Sequence, residues 1–268
     1  MLILNYIHWN VSPEIFRIGA FAIRWYGLFF ALSFYIGYII IGDMFKRENV
    51  PATMLDTLSL YMILGTVIGA RLGHCLFYQP EIYLKNPIEI LKIWEGGLAS
   101  HGAALGILFA IYLFARKSRL TYLYVLDRIV IVVALAGFMI RMGNLMNSEI
   151  YGKMTTLPWA FIFLRSDFMM IPRHPTQIYE GLAYILLFLG LYVTYRKKGT
   201  QMQEGLLFGW FMVILFGLRF ILEFLKEPQV DFENKLTFNM GQGLSIPFIL
   251  CGIYILYRVY KKPFKPWP

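Results

Sequence analysis

Ile129-Val130-Ile131-Val132-Val133-Ala134-Leu135-Ala136-Gly137-Phe138-Met139-Ile140-Arg141 is an apolar run that closes on a guanidinium. Leu206-Leu207-Phe208-Gly209-Trp210-Phe211-Met212-Val213-Ile214-Leu215-Phe216-Gly217-Leu218-Arg219 does the same further along the chain. A helix crosses the hydrocarbon core with about 20 apolar residues, so each run reads as a membrane span. An arginine in such a span costs at least ~2.5 kcal/mol on insertion scales and is tolerated when it pairs with an anion or faces a polar cavity. The two arginines therefore mark both the fold class and the place to look for chemistry.

The rest of the chain agrees. Hydrophobic residues make up 58% of the 268 residues and charged residues 15%, where soluble domains carry about 25% charged residues. The composition is that of an all-α polytopic membrane protein, read as one membrane domain over residues 1–268. Apolar windows punctuated by Gly, Pro or charge fall at roughly 20–42, 55–78, 99–115, 124–143, 177–195, 205–225 and 243–260, which predicts about seven transmembrane helices. An odd number places the termini on opposite sides. Lys46 and Arg47, then Arg116, Lys117 and Arg119, then Arg196, Lys197 and Lys198, and finally Arg258, Lys261, Lys262 and Lys265 form four short basic segments on one side. The positive-inside rule makes that side cytoplasmic, with the N-terminus outside and the C-terminus inside. The opposite segments, about 1–19, 79–97, 144–176 and 226–242, are then external. The first, Met1 to Gly19, reads as an interfacial segment rather than a cleavable signal, since its first residues lack a basic n-region and Pro13, Glu14, Arg17 and Arg24 interrupt the apolar character. The stretch 144–176 is too long for a plain connection and predicts a small external subdomain of irregular structure.

The net charge of +9 sits in clusters between spans, which suits membrane lipid headgroups and topology and argues against a nucleic-acid partner. Cys75 and Cys251 lie in apolar runs as small core residues, and His8, His74, His101 and His174 lack metal-ligand spacing, so neither a metal nor a cofactor is expected. Gly65, Gly69 and Gly73 recur every fourth residue and predict close helix packing. Arg71 beside them either snorkels to headgroups or lines a polar cavity.

After Arg141 the chain continues Met142-Gly143-Asn144-Leu145-Met146-Asn147-Ser148-Glu149-Ile150-Tyr151-Gly152. If the helix continues, Arg141, Asn144 and Ser148 share a face and Glu149 flanks it. A helix end capped by Asn and Ser is the plain alternative, and it leaves unexplained why an arginine precedes the cap on the membrane side. Arg219 and Glu223 stand four apart, the spacing of a pair on one helix face, which either merely neutralises the arginine for insertion or leaves it beside Arg141 to clamp one phosphate with two guanidinium forks. His101, following Gly96-Gly97-Leu98-Ala99-Ser100, sits at the mouth of the third span, either as an interfacial hydrogen-bonder or in a catalytic role.

With these residues in view the sequence resembles the prolipoprotein diacylglyceryl transferases of bacterial inner membranes. The resemblance runs through Arg24-Trp25-Tyr26-Gly27, Gly69-Ala70-Arg71-Leu72-Gly73, Gly96-Gly97 with His101-Gly102, the Arg141 to Gly152 signature, Arg173-His174-Pro175-Thr176-Gln177-Ile178-Tyr179-Glu180, Arg219-Phe220-Ile221-Leu222-Glu223-Phe224 with Glu227-Pro228, and Met240-Gly241-Gln242 before Ser245-Ile246-Pro247. It departs from the usual pattern at Ile140, where a Gly commonly precedes the Arg, and at Leu145, where Phe commonly follows the first Asn. The resemblance implies transfer of the diacylglyceryl group of phosphatidylglycerol to the lipobox cysteine of a prolipoprotein signal peptide, with release of glycerol phosphate, in a multi-pass protein of the bacterial inner membrane.

In that reaction the nucleophile belongs to the substrate, consistent with the lack of a nucleophile elbow in this chain. Arg141 and Arg219 suit charge on the departing phosphate; Tyr26, Asn144 and Asn147 suit the headgroup or the orientation of the cations. His101 is the first candidate to take the thiol proton, with Glu149 and Glu223 as rivals. Two other classes compete: an anionic lipid or organic anion transporter, which would more readily show repeated halves with broken helices, and an intramembrane serine protease, which would need a Ser nucleophile and a His partner.

Overall fold

Inside a bilayer the backbone has no water to bond, so apolar runs close their hydrogen bonds internally as helices. The computed structural model describes residues 6–19, 21–227 and 239–261, and eight helices occupy most of them: α1 (Trp25–Arg47), α2 (Ala52–Phe77), α3 (Pro80–Lys85), α4 (Ser100–Ser118), α5 (Tyr122–Met146), α6 (Thr176–Lys198), α7 (Leu206–Leu222) and α8 (Met240–Lys261). Prolines precede or open several of them, Pro51 before α2, Pro80 at the start of α3 and Pro175 before α6, because a fixed φ suits a first turn that has no donor to lose. Gly199 (φ 51) ends α6 and Gly205 (φ 90) opens α7, conformations that cost glycine nothing.

Six of these elements are long and apolar enough to cross a membrane: α1, α2, α5, α6, α7 and α8. The protein is therefore a polytopic helical membrane protein. The expected third span corresponds to α4, which is not among the six; it begins Ser100-His101-Gly102 and carries Arg116 and Lys117 in its last turn. The expected first span begins too early, since Phe21–Arg24 is strand and helix starts only at Trp25.

Outside the helices are four short strands, β1 (Ile7–Trp9), β2 (Glu14–Ile18), β3 (Phe21–Arg24) and β4 (Phe161–Phe163). β2 and β3 form an antiparallel hairpin leading directly into α1, so the segment read as interfacial is largely extended chain. β1 pairs in parallel with β4, Ile7 opposite Phe161 and Trp9 opposite Phe163. Within the 144–176 stretch Leu145, Phe161 and Phe163 are buried together, and Trp9, Tyr151 and Ile178 pack on them. The Trp9 indole donates to the Leu145 carbonyl at 3.0 Å. Of the residues singled out above, Pro228, Lys262 and Lys265 lie outside the described residues.

The chain divides into two compact units, Ile41–Leu126 and the remainder. In the first, α2 packs on α4 backbone to backbone. A Cβ on Gly69 would fall on the Gly102 carbonyl, and one on Gly73 would come within 2.6 Å of Gly102 Cα. The four-residue glycine spacing is therefore a packing device, and its partners are Gly102 and Gly106. Arg71 is neither snorkelling nor lining a cavity: only 3% exposed, its guanidinium donates to the carbonyls of Glu89 (2.6 Å), Ile90 (2.8 Å), Gly96 (2.6 Å) and Gly97 (3.3 Å) and lies 4.9 Å from the centre of the Tyr83 ring. It pins the 79–97 connection to α2.

In the larger unit, Asp127 of α5 is buried and accepts from the amides of Gly205 (2.7 Å) and Phe208 (2.8 Å). A helix start leaves such amides without partners and carries partial positive charge, so this carboxylate fixes the beginning of α7 from a neighbouring helix. At the other end of α7 stands Arg219.

Candidate functional site

Arg141 lies in the last two turns of α5, where its side chain is 13% exposed. Its Nε is 2.8 Å from Oε2 of Glu180, a fully buried residue in the second turn of α6. Its Nη1 donates to Asn144 Oδ1 at 3.2 Å, and the guanidinium also bonds the hydroxyl of Tyr184, one turn beyond Glu180. The other oxygen of Glu180 meets Lys226 Nζ at 2.8 Å, and the same ammonium is 3.3 Å from Glu223 Oε2. Lys226 is only 4% exposed. Two cations and two carboxylates thus alternate, Arg141, Glu180, Lys226, Glu223, and each buried charge has an opposite neighbour, as a low-dielectric site requires. Gly241, at the start of α8, lets the last carboxylate in, since a Cβ there would sit 2.5 Å from Glu223 Cδ.

The expected Arg219–Glu223 pair is not formed. α7 ends at Leu222, and Glu223–Leu225 is a single 3-10 turn; in that tighter winding residues three apart eclipse, and Glu223 turns to Lys226. Arg219 is half-buried and has no ion pair among the described residues. It lies within electrostatic reach of Tyr184, the residue that Arg141 bonds, so the two arginines share a neighbour.

The expected shared face of Arg141, Asn144 and Ser148 is formed only as far as Asn144, because α5 stops at Met146. Ser148 (φ 55) and Ile150 (φ 59) both adopt left-handed backbone, an unfavourable state for a β-branched residue that costs of order 1–3 kcal/mol and persists where the surroundings impose it. Here they do. The Ser148 and Glu149 amides donate to the Leu145 and Asn144 carbonyls at 3.0 Å, Gln177 Nε2 donates to Glu149 O at 2.7 Å, and Thr176 Oγ1 to Ile150 O at 2.9 Å.

The turn returns the Glu149 carboxylate to the helix end. Its Oε1 accepts from Asn144 Nδ2 (2.8 Å) and Asn147 Nδ2 (3.2 Å), and the residue is exposed. Tyr26 packs on Gly143, where a Cβ would come within 2.8 Å of its ring, and it feels the charges of both Glu149 and Arg141. Tyr26, Arg141, Asn144, Asn147 and Glu149 are therefore brought together, with Glu180, Tyr184, Gln177 and Lys226 supplied by segments that the local sequence pattern did not connect to them. His101 belongs to the other compact unit; it is exposed at the start of α4 and has no side-chain hydrogen bond among the described residues.

The segment that carries β4 is fixed to this site through Arg173, whose guanidinium bonds Asp167 (2.6 Å) and Glu227 (2.9 Å) and lies 5.0 Å from the centre of the Tyr151 ring. Burial would raise the Asp167 pKa, but the Arg173 hydrogen bond and the Met169 amide outweigh it and hold the carboxyl below its ordinary range. Burial pushes the neighbouring His174 imidazole down. Among the described residues no three His, Cys, Asp or Glu side chains converge to hold a metal ion. The chemistry on offer is an exposed carboxylate and two amides beside Arg141, a set suited to an anionic group and a proton.

Residues 13–258 match the family model described as prolipoprotein diacylglyceryl transferase. A phosphatidylglycerol–prolipoprotein diacylglyceryl transferase of Chloroherpeton thalassium is 47% identical, with 96% of each chain covered. Proteins of the same name from Tolumonas auensis and Bacteroides fragilis are 45% and 42% identical over 93% and 96% of this chain and 96% of each relative. Matches of this extent, over a chain whose charged cluster lies within the matched span, place it in the prolipoprotein diacylglyceryl transferase family.

Proposed function

We infer that this protein is a transferase that moves the diacylglyceryl group of phosphatidylglycerol onto the cysteine thiol of a prolipoprotein, the first step of lipoprotein maturation. The observation that carries this reading is the family match from residue 13 to 258, which encloses every member of the charged cluster. In the step itself the thiol sulfur attacks the glycerol carbon that bears the phosphate, a C–S bond forms, the C–O bond breaks, glycerol phosphate leaves with the bonding pair, and the thiol proton goes to a base.

In this reading Arg141 and Arg219 receive the charge that grows on the leaving phosphate, as preorganised cations in a water-poor site do. Arg141 is oriented for it by Glu180 and Asn144, while Arg219 has no ion pair among the described residues that would compete. Tyr26, Asn144 and Asn147 hold the headgroup and set the Glu149 carboxylate. Glu223 serves as a scaffold, since Lys226 engages it. For the thiol proton, the two candidates with an open edge are Glu149 and His101. The partner is the lipobox cysteine of a signal peptide, and the setting is the bacterial inner membrane with α4 as a seventh crossing, the N-terminus outside and the four basic segments cytoplasmic.

The decisive experiment incubates purified protein with phosphatidylglycerol and a lipobox peptide. A thioether-linked diacylglyceryl adduct and an equimolar amount of glycerol phosphate are expected by mass spectrometry; an unmodified peptide with intact lipid would overturn the assignment. Topology is read separately, in a Cys251→Ser background because Cys251 is exposed. Phe168, 98% exposed on the external subdomain, should react as Phe168→Cys with an impermeant thiol reagent in intact cells, and Lys197→Cys should not. Inverted labelling would reverse the orientation.

A further inference from the structure

The three carboxylates of the cluster are not equivalent. Both oxygens of Glu180 face cations, Arg141 and Lys226, and Lys226 engages Glu223 as well. Glu149 is held instead by neutral donors, the side-chain amides of Asn144 and Asn147, and both bonds fall on its Oε1. Its second oxygen accepts no hydrogen bond among the described residues. An exposed carboxylate with one oxygen fixed and the other open is placed to take a proton, whereas the other two already meet cations.

A glutamate on a turn would ordinarily wander, and α6 prevents it. Thr176 and Gln177, both fully buried in its first turn, reach across to the backbone of the turn, Gln177 to the Glu149 carbonyl and Thr176 to the Ile150 carbonyl. Gly152 lets the turn close on them, since a Cβ there would fall 2.7 Å from Thr176 Cγ2. Gln177 is a poor choice for a filler: its own Oε1 is buried without a partner among the described residues, and a buried acceptor left unpaired destabilises a fold. What the amide contributes is one bond, to the backbone of Glu149. The same face of α6 goes on to Glu180 and Tyr184, which hold Arg141. One rigid helix therefore sets both the Glu149 backbone and the Arg141 guanidinium, with about 4.5 Å of rise from Gln177 to Glu180.

We propose that Glu149 takes the thiol proton and that Gln177 is its positioning residue, acting through the Glu149 backbone. The proposal rests on the transferase reading. The S–H proton passes to the open oxygen of Glu149 while the sulfur forms its C–S bond to the glycerol carbon, and the C–O bonding pair leaves with glycerol phosphate. The titratable group that feels Glu149 is Tyr26 of α1, which also feels Arg141 of α5, while α6 turns the neutral Thr176 and Gln177 toward it.

The test follows adduct formation by full-length protein in detergent, with phosphatidylglycerol and a lipobox peptide, from neutral pH to the unperturbed cysteine pKa of about 8.5, where the thiol ionises without help. Glu149→Gln keeps an acceptor for both asparagines; near neutrality kcat should fall about 10²-fold with both KM values within about threefold, and most of the loss should return at high pH. Gln177→Leu should lose about tenfold in kcat, recover over the same range, and add less than about twofold to Glu149→Gln, because it has nothing to orient once the carboxylate is gone. Arg141→Lys, whose loss concerns the leaving group, should keep its deficit at every pH. A purely structural Gln177 would instead give a lower melting midpoint and a deficit that high pH does not touch, which overturns its positioning role. Because Glu149 is exposed, its variant should fold whether or not Gln177→Leu does. Glu149→Gln with parent-like kcat, or with a deficit that persists at high pH, overturns the proposal, as does high-pH recovery by His101→Gln in its place. A parent that yields no adduct at all sinks the transferase reading, and this proposal with it.

Discussion

Arg71 and Arg141 are both withdrawn from water near the ends of long apolar helices, yet they are held in opposite ways. Arg71 is surrounded by four backbone carbonyls of the connection that follows its helix, and a tyrosine ring covers it. All three of its nitrogens are engaged by the chain itself. Arg141 is anchored along one edge by the Glu180 carboxylate and steadied by Asn144 and Tyr184, an arrangement that fixes the plane of the guanidinium without surrounding it. Burial of a cation does not separate structure from chemistry; the identity of its acceptors does. Carbonyls that saturate an arginine make it a clasp, and a carboxylate at its back makes it an aimed donor.

The contrast can be broken hardest at the carboxylate. Glu180→Gln leaves Arg141 and Lys226 without their shared counter-ion, and removing one partner of a buried pair costs about 3–5 kcal/mol; the unfolding midpoint in detergent should fall steeply, and adding Lys226→Met should restore part of it. A double variant no more stable than Glu180→Gln would show that the alternating charges are not coupled.

Next come the arginines themselves. Arg141→Lys and Arg219→Lys keep the charge and lose the fork, and transfer should fall about 10²- to 10³-fold with insertion unchanged. Arg71→Lys should keep transfer within a few-fold while lowering thermal stability, because its loss is of carbonyl bonds. Similar rates for all three variants would erase the distinction.

Gly69→Ala is smaller in chemistry and still costly, about 1–3 kcal/mol of overpacking against the Gly102 carbonyl. Gly190→Ala, where the added methyl meets nothing, should lie within about 0.5 kcal/mol of the parent. Thermal midpoints of the two variants compare a closed helix contact with an open one.

The mildest effect is pH dependence in the segment around β4. Arg71 has carbonyl partners, which carry no titrating proton, whereas Arg173 has Asp167. The folded pKa of His174 is depressed by burial, so its contribution to stability is complete above the unfolded value of about 6.5 and is lost as pH falls through the folded value. Asp167 is depressed as well, with its contribution complete above about 3.9 and lost at lower pH still. Amide exchange at Phe161–Phe163 should therefore quicken in two stages on acidification, and Asp167→Asn should remove the second. A single stage in both proteins would refute the assignment.

What could be read from the sequence was whatever depends on one segment alone. Apolar length located the six membrane-length helices to within about five residues, glycine spacing announced a close helix contact, and Arg141 with Asn144 and Glu149 formed a recognisable polar set. What could not be read depends on segments far apart. Glu180 meets Arg141 across 39 positions (180 minus 141), Asp127 caps a helix that begins beyond another helix, and β1 and β4 are too short for any period to show. Arg219 and Glu223 failed for a local reason: the i, i+4 rule assumes that the helix continues, and it ends between them. Nothing in the neighbourhood of Lys226 hints at burial, and only the approach of α6 makes it a counter-ion.

The turn after α5 carries one more implication. Holding Glu149 between two left-handed residues, one of them isoleucine, means that the native state bears a load other sequences could shed. Relieving it with Ile150→Asn, a residue more at ease in that conformation, should make the protein harder to melt and slower to turn over. Selection for durability and selection for activity would then act on this one position in opposite directions.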